Sequence, residues 1–554
     1  TSFSAPLVAS AAALVSARFP AYDMNQVREQ LRVTADNIDA INPNYAGLLG
    51  KGRLNVFRAV SESSPSIRNQ KITLFDKGKG SIPPGDTLRL FFDLKNFLSA
   101  ANGLIVRLSS SNPDILILDA QLTAGNVGMG ELKTMVGPFR VYIKPGIADN
   151  EDVDFKLSYS ANTTYTDFEL FRIKVALDYL NIEVNRISTT ISSNGRIGYS
   201  GPDASNGLGF IYKGEPLLYE ASLMIGNGPA RVSNNARNDM GGSDEHFDKS
   251  VRVGKIDDRK AAFLARSEFD DTGSLNRLDL HVKHSQTAFD TAPDDKYTIA
   301  EYDIQNTGST LLTGVYIGLF IDLDSDPSGH DITKYDAANR MGYVFGKAGG
   351  TLYGAVKLLN KDVAPAYYPM SDQIVGDPLQ NGGGFSMAEK YQSLSSGIKA
   401  TGLGENDPNG IDVMFTIGYG PYTIPAKASA KVAFAFIGGD NLADIQSSAL
   451  AAQNKYNQLG QTDPLAAEGF VLGQNYPNPG SDNTVINFTI AETASTTLNL
   501  YDIIGRSVKE LVNANLQKGS YSINVDLSEL EAGIYVYKMK YKGKEKSFKL
   551  IVGK

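Results

Sequence analysis

Leu88-Arg89-Leu90-Phe91-Phe92-Asp93-Leu94-Lys95 alternates Leu88, Leu90, Phe92 and Leu94 with Arg89, Phe91, Asp93 and Lys95. That period of two belongs to a half-buried strand. The run follows Pro83-Pro84-Gly85-Asp86, in which proline and glycine supply the backbone angles that reverse a chain. Similar runs recur at Ile72 to Phe75, Leu104 to Leu108, Ile115 to Leu118, Phe139 to Ile143, Val153 to Tyr159 and Phe168 to Ala176. Seven short strands in roughly 110 residues predict an immunoglobulin-like β-sandwich over residues 66–180. No histidine falls there and its carboxylates sit at turns, so a spacer is expected before a docking surface, and neither chemistry nor function follows from the fold itself.

The chain has 554 residues, room for three or four domains at roughly 150 residues each. Lys and Arg number 53 against 61 Asp and Glu, a formal charge of −8, which removes nucleic acid as a default partner. The absence of Cys excludes disulfides, thiolate zinc sites, iron–sulfur clusters and cysteine nucleophiles. No run approaches the roughly 18 apolar residues of a membrane helix, and a soluble chain is expected. Ala5 to Ala17 has the length of a signal-peptide apolar region, but its first positive charge is Arg18, on the wrong side, and no initiator Met precedes it. An internal helix is therefore predicted, and the start at Thr1 reads as a cut from something longer.

Residues 1–62 have a helical texture. Ala, Leu and Val fill every face from Ala5 to Val15, and a helix apolar all round is expected to be buried on all sides. Asp23 and Gln26 are spaced as a capping box for a second helix near Asn25. Leu54, Phe57 and Val60 mark a third after Gly50 and Gly52. Three short helices cannot enclose the first, so they read as the remnant of a larger α/β domain. Thr1-Ser2-Phe3-Ser4-Ala5-Pro6, followed by the Ala-rich helix, resembles the nucleophile motif of subtilisin-like serine peptidases. Gly50-Lys51-Gly52-Arg53-Leu54-Asn55 and Ala59-Val60 resemble the close of that catalytic domain. The resemblance implies Ser2 as nucleophile, at a helix N-terminus whose dipole and backbone N–H favour a developing oxyanion. In that family the Asp and His precede the Ser, so both would lie upstream of Thr1. A bare helix cap is the alternative role for Ser2.

Residues 183–455 predict a larger β-rich domain of unassigned role. Tyr297 to Ile304, Leu311 to Ile321, Gly342 to Phe345, Val413 to Tyr419 and Val432 to Ile437 are strand-like, and Leu442, Ile445, Ala449 and Ala452 are helical in spacing. His281 and His284, three apart on a strand, should face opposite sides rather than chelate. Gly207-Leu208-Gly209 and Gly382-Gly383-Gly384 lack the lysine and helix of a phosphate loop and read as turns. Asp322, Asp324, Asp326 and Asp331 could converge on calcium, the one metal the chain suggests, although Pro327 and Gly329 break the EF-hand pattern. A solvated acidic loop is the competing account. No cofactor is required by any of these motifs.

Residues 470–554 predict a second small sandwich, from period-two runs at Ile486 to Ile490, Leu498 and Leu500, Tyr521 to Leu527 and Phe548 to Val552. A linker, Gln461 to Ala467, is expected before it. Asn475-Tyr476-Pro477-Asn478-Pro479, Tyr501-Asp502-Ile503-Ile504-Gly505-Arg506 and Gly533-Ile534-Tyr535-Val536-Tyr537 resemble the C-terminal sorting domain of the type IX secretion system, with Gly480 where an aromatic residue is usual. Lys538, Lys540, Lys542, Lys544 and Lys546 are expected to project from one face, guarding an edge or meeting an acidic partner.

The expected protein is mainly β and multidomain. By these resemblances it is the C-terminal portion of a secreted subtilisin-like serine endopeptidase of a Gram-negative bacterium, inactive alone without the triad Asp and His. Its implied partners are a protein or peptide substrate and the type IX machinery with its sortase. A non-catalytic surface or adhesion protein, with glycan binding as one role, is the alternative.

Overall fold

In an antiparallel ladder, alternate side chains gather on opposite faces, so period-two sequence closes into paired sheets. The computed structural model of the chain describes residues 2–202, 204–257, 261–349, 351–379, 384–459, 469–475 and 477–553. Thr1, Gly382, Gly383, Tyr476 and the expected linker Gln461 to Ala467 lie outside the described residues. The chain divides into two units, Thr1–Ala452 and Gln453–Lys554.

In the first unit, strands Ile67–Phe75, Thr87–Asn96, Leu132–Ile143 and Ile115–Ile117 form one sheet in that order, and Gln121–Val127, Ala101–Ser110, Glu151–Ala161 and Tyr165–Val175 form another. Leu88, Leu90, Phe92 and Leu94 are all buried between them, with Val106, Phe139 and Phe155. The strand missed by the period is Gln121–Val127, a polar edge strand in which only Ala124 and Val127 are buried.

Ahead of the sandwich lie α1 (Ser4–Arg18), α2 (Met24–Val33) and α3 (Val56–Ser61). Asp23 and Gln26 close their reciprocal box at 2.8 and 2.9 Å. The expected burial of α1 on all sides is not found. Only Ala11 and Val15 are buried, against Val27, Leu31 and Ala59, whereas Leu7, Val8 and Leu14 are exposed. Helices of ten and six residues are too small to cover its circumference.

These helices are fastened to the sandwich by buried charge. Asp167 accepts two bonds from the Arg32 guanidinium, at 3.2 and 2.7 Å, and also pairs with Lys51. Glu29 accepts from Arg32 Nε at 2.6 Å and from Ser66 Oγ at 2.7 Å. Burial pushes the Asp167 carboxyl upward, but Arg32 and then Lys51 overcome it and hold the group below the ordinary carboxylate range.

Between Tyr179 and Gly439 the chain builds a ten-stranded and a nine-stranded antiparallel sheet. Ile225, Phe269, Tyr302, Ile317, Phe415 and Phe434 belong to the core they share. α4 (Met387–Ser395) adds Leu394 to a second cluster with Met224, Val232, Phe320 and Met414. α5 (Leu442–Leu459) follows, its Asp444 paired with Lys296 at 2.8 Å. On strand Leu280–Ala288, His281 bridges Asp270 and Glu268 at 2.8 and 2.9 Å. His284 lies in the core, stacked on Tyr302 with ring centroids 4.5 Å apart and both ring nitrogens unpartnered.

In the second unit, Phe470–Leu472, Asn483–Ile490 and Gly519–Asp526 form one sheet, and Ser507–Leu516, Ala494–Asp502, Gly533–Tyr541 and Lys544–Val552 another. The register corrects the expected single basic face. Lys538 and Lys540 stand opposite Ser547 and Glu545, but Lys546 and Lys544 stand opposite Met539 and Tyr541. The two-residue turn places the second pair of lysines in phase with the buried set, so the charges divide between faces.

Burial pushes His284 down to about 3. The unfolded chain therefore binds a proton below its ordinary value of 6.5 that the folded chain refuses, and stability falls as pH drops from there, with no effect above it. His284→Phe keeps a flat ring against Tyr302. Relative to that variant, the wild-type chain should lose about 2–3 kcal/mol between pH 7 and pH 4.5, measured by denaturant titration at both pH values.

Candidate functional site

Ser2 is exposed, two residues ahead of the start of α1 at Ser4. The N-cap of α1 is Phe3 and no side chain caps it, so Ser2 does not serve as the helix cap. His281 and His284 sit on a strand of the nine-stranded sheet, His246 shortly precedes strand Asp248–Lys255, and His330 immediately precedes Asp331–Asp336.

A second constellation lies in the first unit, where strands Glu220–Gly228, Leu312–Asp322 and Met414–Ile424 run side by side. Their register sets Asp322 opposite both Glu220 and Met414. Arg237 binds Glu220 through Nε at 2.9 Å and pairs through Nη2 with Asp322, its guanidinium 5.0 Å from the Phe320 ring. These groups floor a cleft of about 330 Å³, also lined by Arg196, Tyr199, Tyr219, Asp324, Asp372 and Asp412.

Of the four aspartates singled out for calcium, the cleft gathers Asp322 and Asp324 and adds Asp412, with one oxygen of each within 4.8 Å of the others. Asp326 and Asp331 stand outside that trio. The Asp331 carboxylate instead accepts from the Asp326 backbone N–H at 3.0 Å. Asp412 is separated from the acidic loop by eighty residues of sequence, so only strand register could have revealed it. Burial raises Asp322, with Arg237 opposing and Asp324 and Asp412 adding to the rise. Burial also raises Asp324, and pushes Asp412 up to about 6 with help from the charges of Asp324 and Asp372.

In the second unit, two ends of the sequence meet at one hydroxyl. The Asn475 backbone N–H donates to Tyr537 Oη at 2.8 Å, and that hydroxyl donates to the Gly473 carbonyl at 2.7 Å. Asn475 Nδ2 reaches Thr484 Oγ1 at 2.9 Å, and the Ile551 N–H donates to Asn478 Oδ1 at 2.8 Å. A Cβ on Gly480 would come within 2.8 Å of the Leu527 side chain, so a larger residue there would require Leu527 to shift. Asp502 ties down its own turn, accepting from the N–H groups of Ile504 and Arg506 at 3.0 and 2.9 Å, and leaves Ile503 and Ile504 exposed.

Residues 474–553 match the family described as the secretion system C-terminal sorting domain. This segment is a type IX sorting domain. The sorting domain makes the chain a secreted or cell-surface protein of a Gram-negative bacterium of the Bacteroidetes type, addressed to the type IX machinery. Among the described residues, no helix is long and apolar enough to cross a membrane. No curated protein matches the chain.

Solved structures with remote likeness include a polysaccharide lyase, at 10% identity and TM-score 0.26, covering 67% of this chain and 47% of the lyase. A putative aldose 1-epimerase from Klebsiella pneumoniae has 8% identity and TM-score 0.26, over 72% of this chain and 97% of its own. PorZ, a surface component of the type IX secretion system of Porphyromonas gingivalis, has 10% identity and TM-score 0.15, over 84% and 85%. TM-scores this low assign neither fold nor function to the chain.

Arg237→Met would leave Glu220 and Asp322 buried without their counter-charge. It should cost about 3–5 kcal/mol at pH 7, and less at lower pH, where protonation of Asp322, already raised by burial, relieves the repulsion. Denaturant titration at both pH values checks the magnitude and the sign.

Proposed function

We propose that the chain is the C-terminal portion of a secreted subtilisin-like serine endopeptidase in which Ser2 is the nucleophile. On this reading residues 1–62 close an α/β catalytic domain, and the downstream sandwiches support and export it. The observation that carries it is α1. A serine that caps nothing precedes a helix whose Leu7, Val8 and Leu14 are exposed, and an apolar helix of that kind ordinarily packs beneath a sheet. The motif around Ser2 and the Gly50 to Asn55 stretch supply the family pattern.

The chemistry is acyl transfer. Ser2 Oγ would attack the scissile carbonyl, and the backbone N–H groups at the start of α1 would face the oxyanion. A serine hydroxyl needs a base within hydrogen-bond reach to be nucleophilic at neutral pH. By the family's triad order that His and its Asp precede Thr1, so residues 1–554 alone lack the machinery.

A fluorophosphonate probe should label the intact parent, and Ser2→Ala should abolish labelling and lower kcat by at least about a thousandfold. Residues 1–554 should remain dark. A parent that resists the probe, or labels equally after Ser2→Ala, removes the peptidase reading in favour of a non-catalytic surface protein. Deleting residues 474–554 from the parent should abolish its appearance outside the cell, read by fractionation. Undiminished export would refute the role of the tag.

A further inference from the structure

The cleft beside Arg237 holds more acid than its own cations balance. Among the described residues five carboxylates line it, those of Glu220, Asp322, Asp324, Asp372 and Asp412, against the guanidiniums of Arg196 and Arg237. Arg237 is committed to Glu220 and Asp322, so Asp324, Asp372 and Asp412 carry the excess. Oxygens of Asp322, Asp324 and Asp412 lie within 4.8 Å of one another, about twice the calcium–oxygen distance of roughly 2.4 Å. Oxygens grouped this closely can converge on one ion with small side-chain adjustments.

Acid alone would not make this a site. The second observation is a set of carboxylate oxygens shut away from water with nothing to bind. Oδ1 of Asp412 and Oδ1 of Asp372, both in the cleft lining, have no hydrogen-bond partner. Asp331, whose backbone pairs with Ile411 beside Asp412, is fully buried, and its Oδ2 is likewise unpartnered. The charge of Asp324 bears directly on it. Buried polar atoms are almost always satisfied by protein, water or an ion, and three orphaned acceptors in one neighbourhood call for a cation.

The frame is also fixed without the ion. Asp331 and Ile411 exchange both backbone hydrogen bonds at 3.1 Å, which fastens the acidic loop to the residue preceding Asp412. Asp322 is held at its strand end by Arg237.

We infer that Asp322, Asp324 and Asp412 bind a calcium ion in this cleft. Every donor is a hard oxygen, and no histidine among the described residues lines the cleft, which disfavours zinc and copper. Magnesium demands oxygens at about 2.1 Å in near-ideal octahedral order, which three carboxylates on separate segments meet less readily than the larger and looser shell of calcium.

The chain contains no Trp, so sensitised terbium emission must come from tyrosine, and Tyr199 and Tyr219 line the cleft. Chelator-treated full chain should give saturable Tb³⁺ emission on tyrosine excitation, displaced by Ca²⁺ at far lower concentration than by Mg²⁺. Calorimetric titration with CaCl₂ should give one site. Asp324→Asn and Asp412→Asn should each weaken binding at least tenfold with unchanged circular dichroism. Tyr219→Phe should dim the emission while leaving the calorimetric affinity in place. Absence of a calorimetric site in the wild-type chain overturns the inference whatever the variants do. Affinity unmoved by both Asn substitutions, or equal displacement by Mg²⁺, overturns it as well.

Discussion

Arg32 and Asp167 meet in a double hydrogen bond with Asp167 fully withdrawn from water. The three N-terminal helices bury only Ala11, Val15, Val27, Leu31 and Ala59 in a cluster of their own, too little apolar surface to offset the entropy of ordering some sixty residues at roughly 1–2 kcal/mol each. Their place depends on the sandwich, and the sandwich holds them through charge. A buried pair adds little beyond what a matched apolar contact would, but removing either partner strands the other. The pair therefore specifies where the helices dock more than it strengthens the docking. On the peptidase reading it sets the attitude of α1, and with it the direction in which Ser2 points.

Strand register governs the rest. A one-residue slip turns every side chain to the other face, so the pairing of Asp322 with Glu220 and Met414 creates the cleft as surely as the aspartates do. The same rule separates His281, in water's reach and bridged by two acids, from His284, sealed against Tyr302. It also divides Lys538 and Lys540 from Lys544 and Lys546, on opposite faces of the last hairpin.

Period and punctuation carried most of the architecture. Leu88 to Leu94 announced their strand because one face is wholly apolar, and Asp23 with Gln26 announced a helix start because a capping box is local chemistry. Gln121–Val127 stayed hidden since an edge strand needs few buried side chains. The cleft was half legible. Asp322 and Asp324 stood out by crowding, but Arg237, Glu220 and Asp412 reach them only through pairings distant in sequence. The expected burial of α1 failed for a related reason, because apolar periodicity shows what a helix could bury and leaves open what is there to bury it.

The hydroxyl of Tyr537 gives the sorting domain a property beyond its shape. It joins Gly473 and Asn475, at the opening of the domain, to a strand that pairs with the last one, Lys544–Val552. Asn478 is in turn bonded to Ile551. The opening of the address is thus held in place only once strands Gly533–Tyr541 and Lys544–Val552 have paired. A chain in which those strands have not paired carries the first motif as letters without the fold that holds them, so the opening motif and the closing hairpin take shape together or not at all.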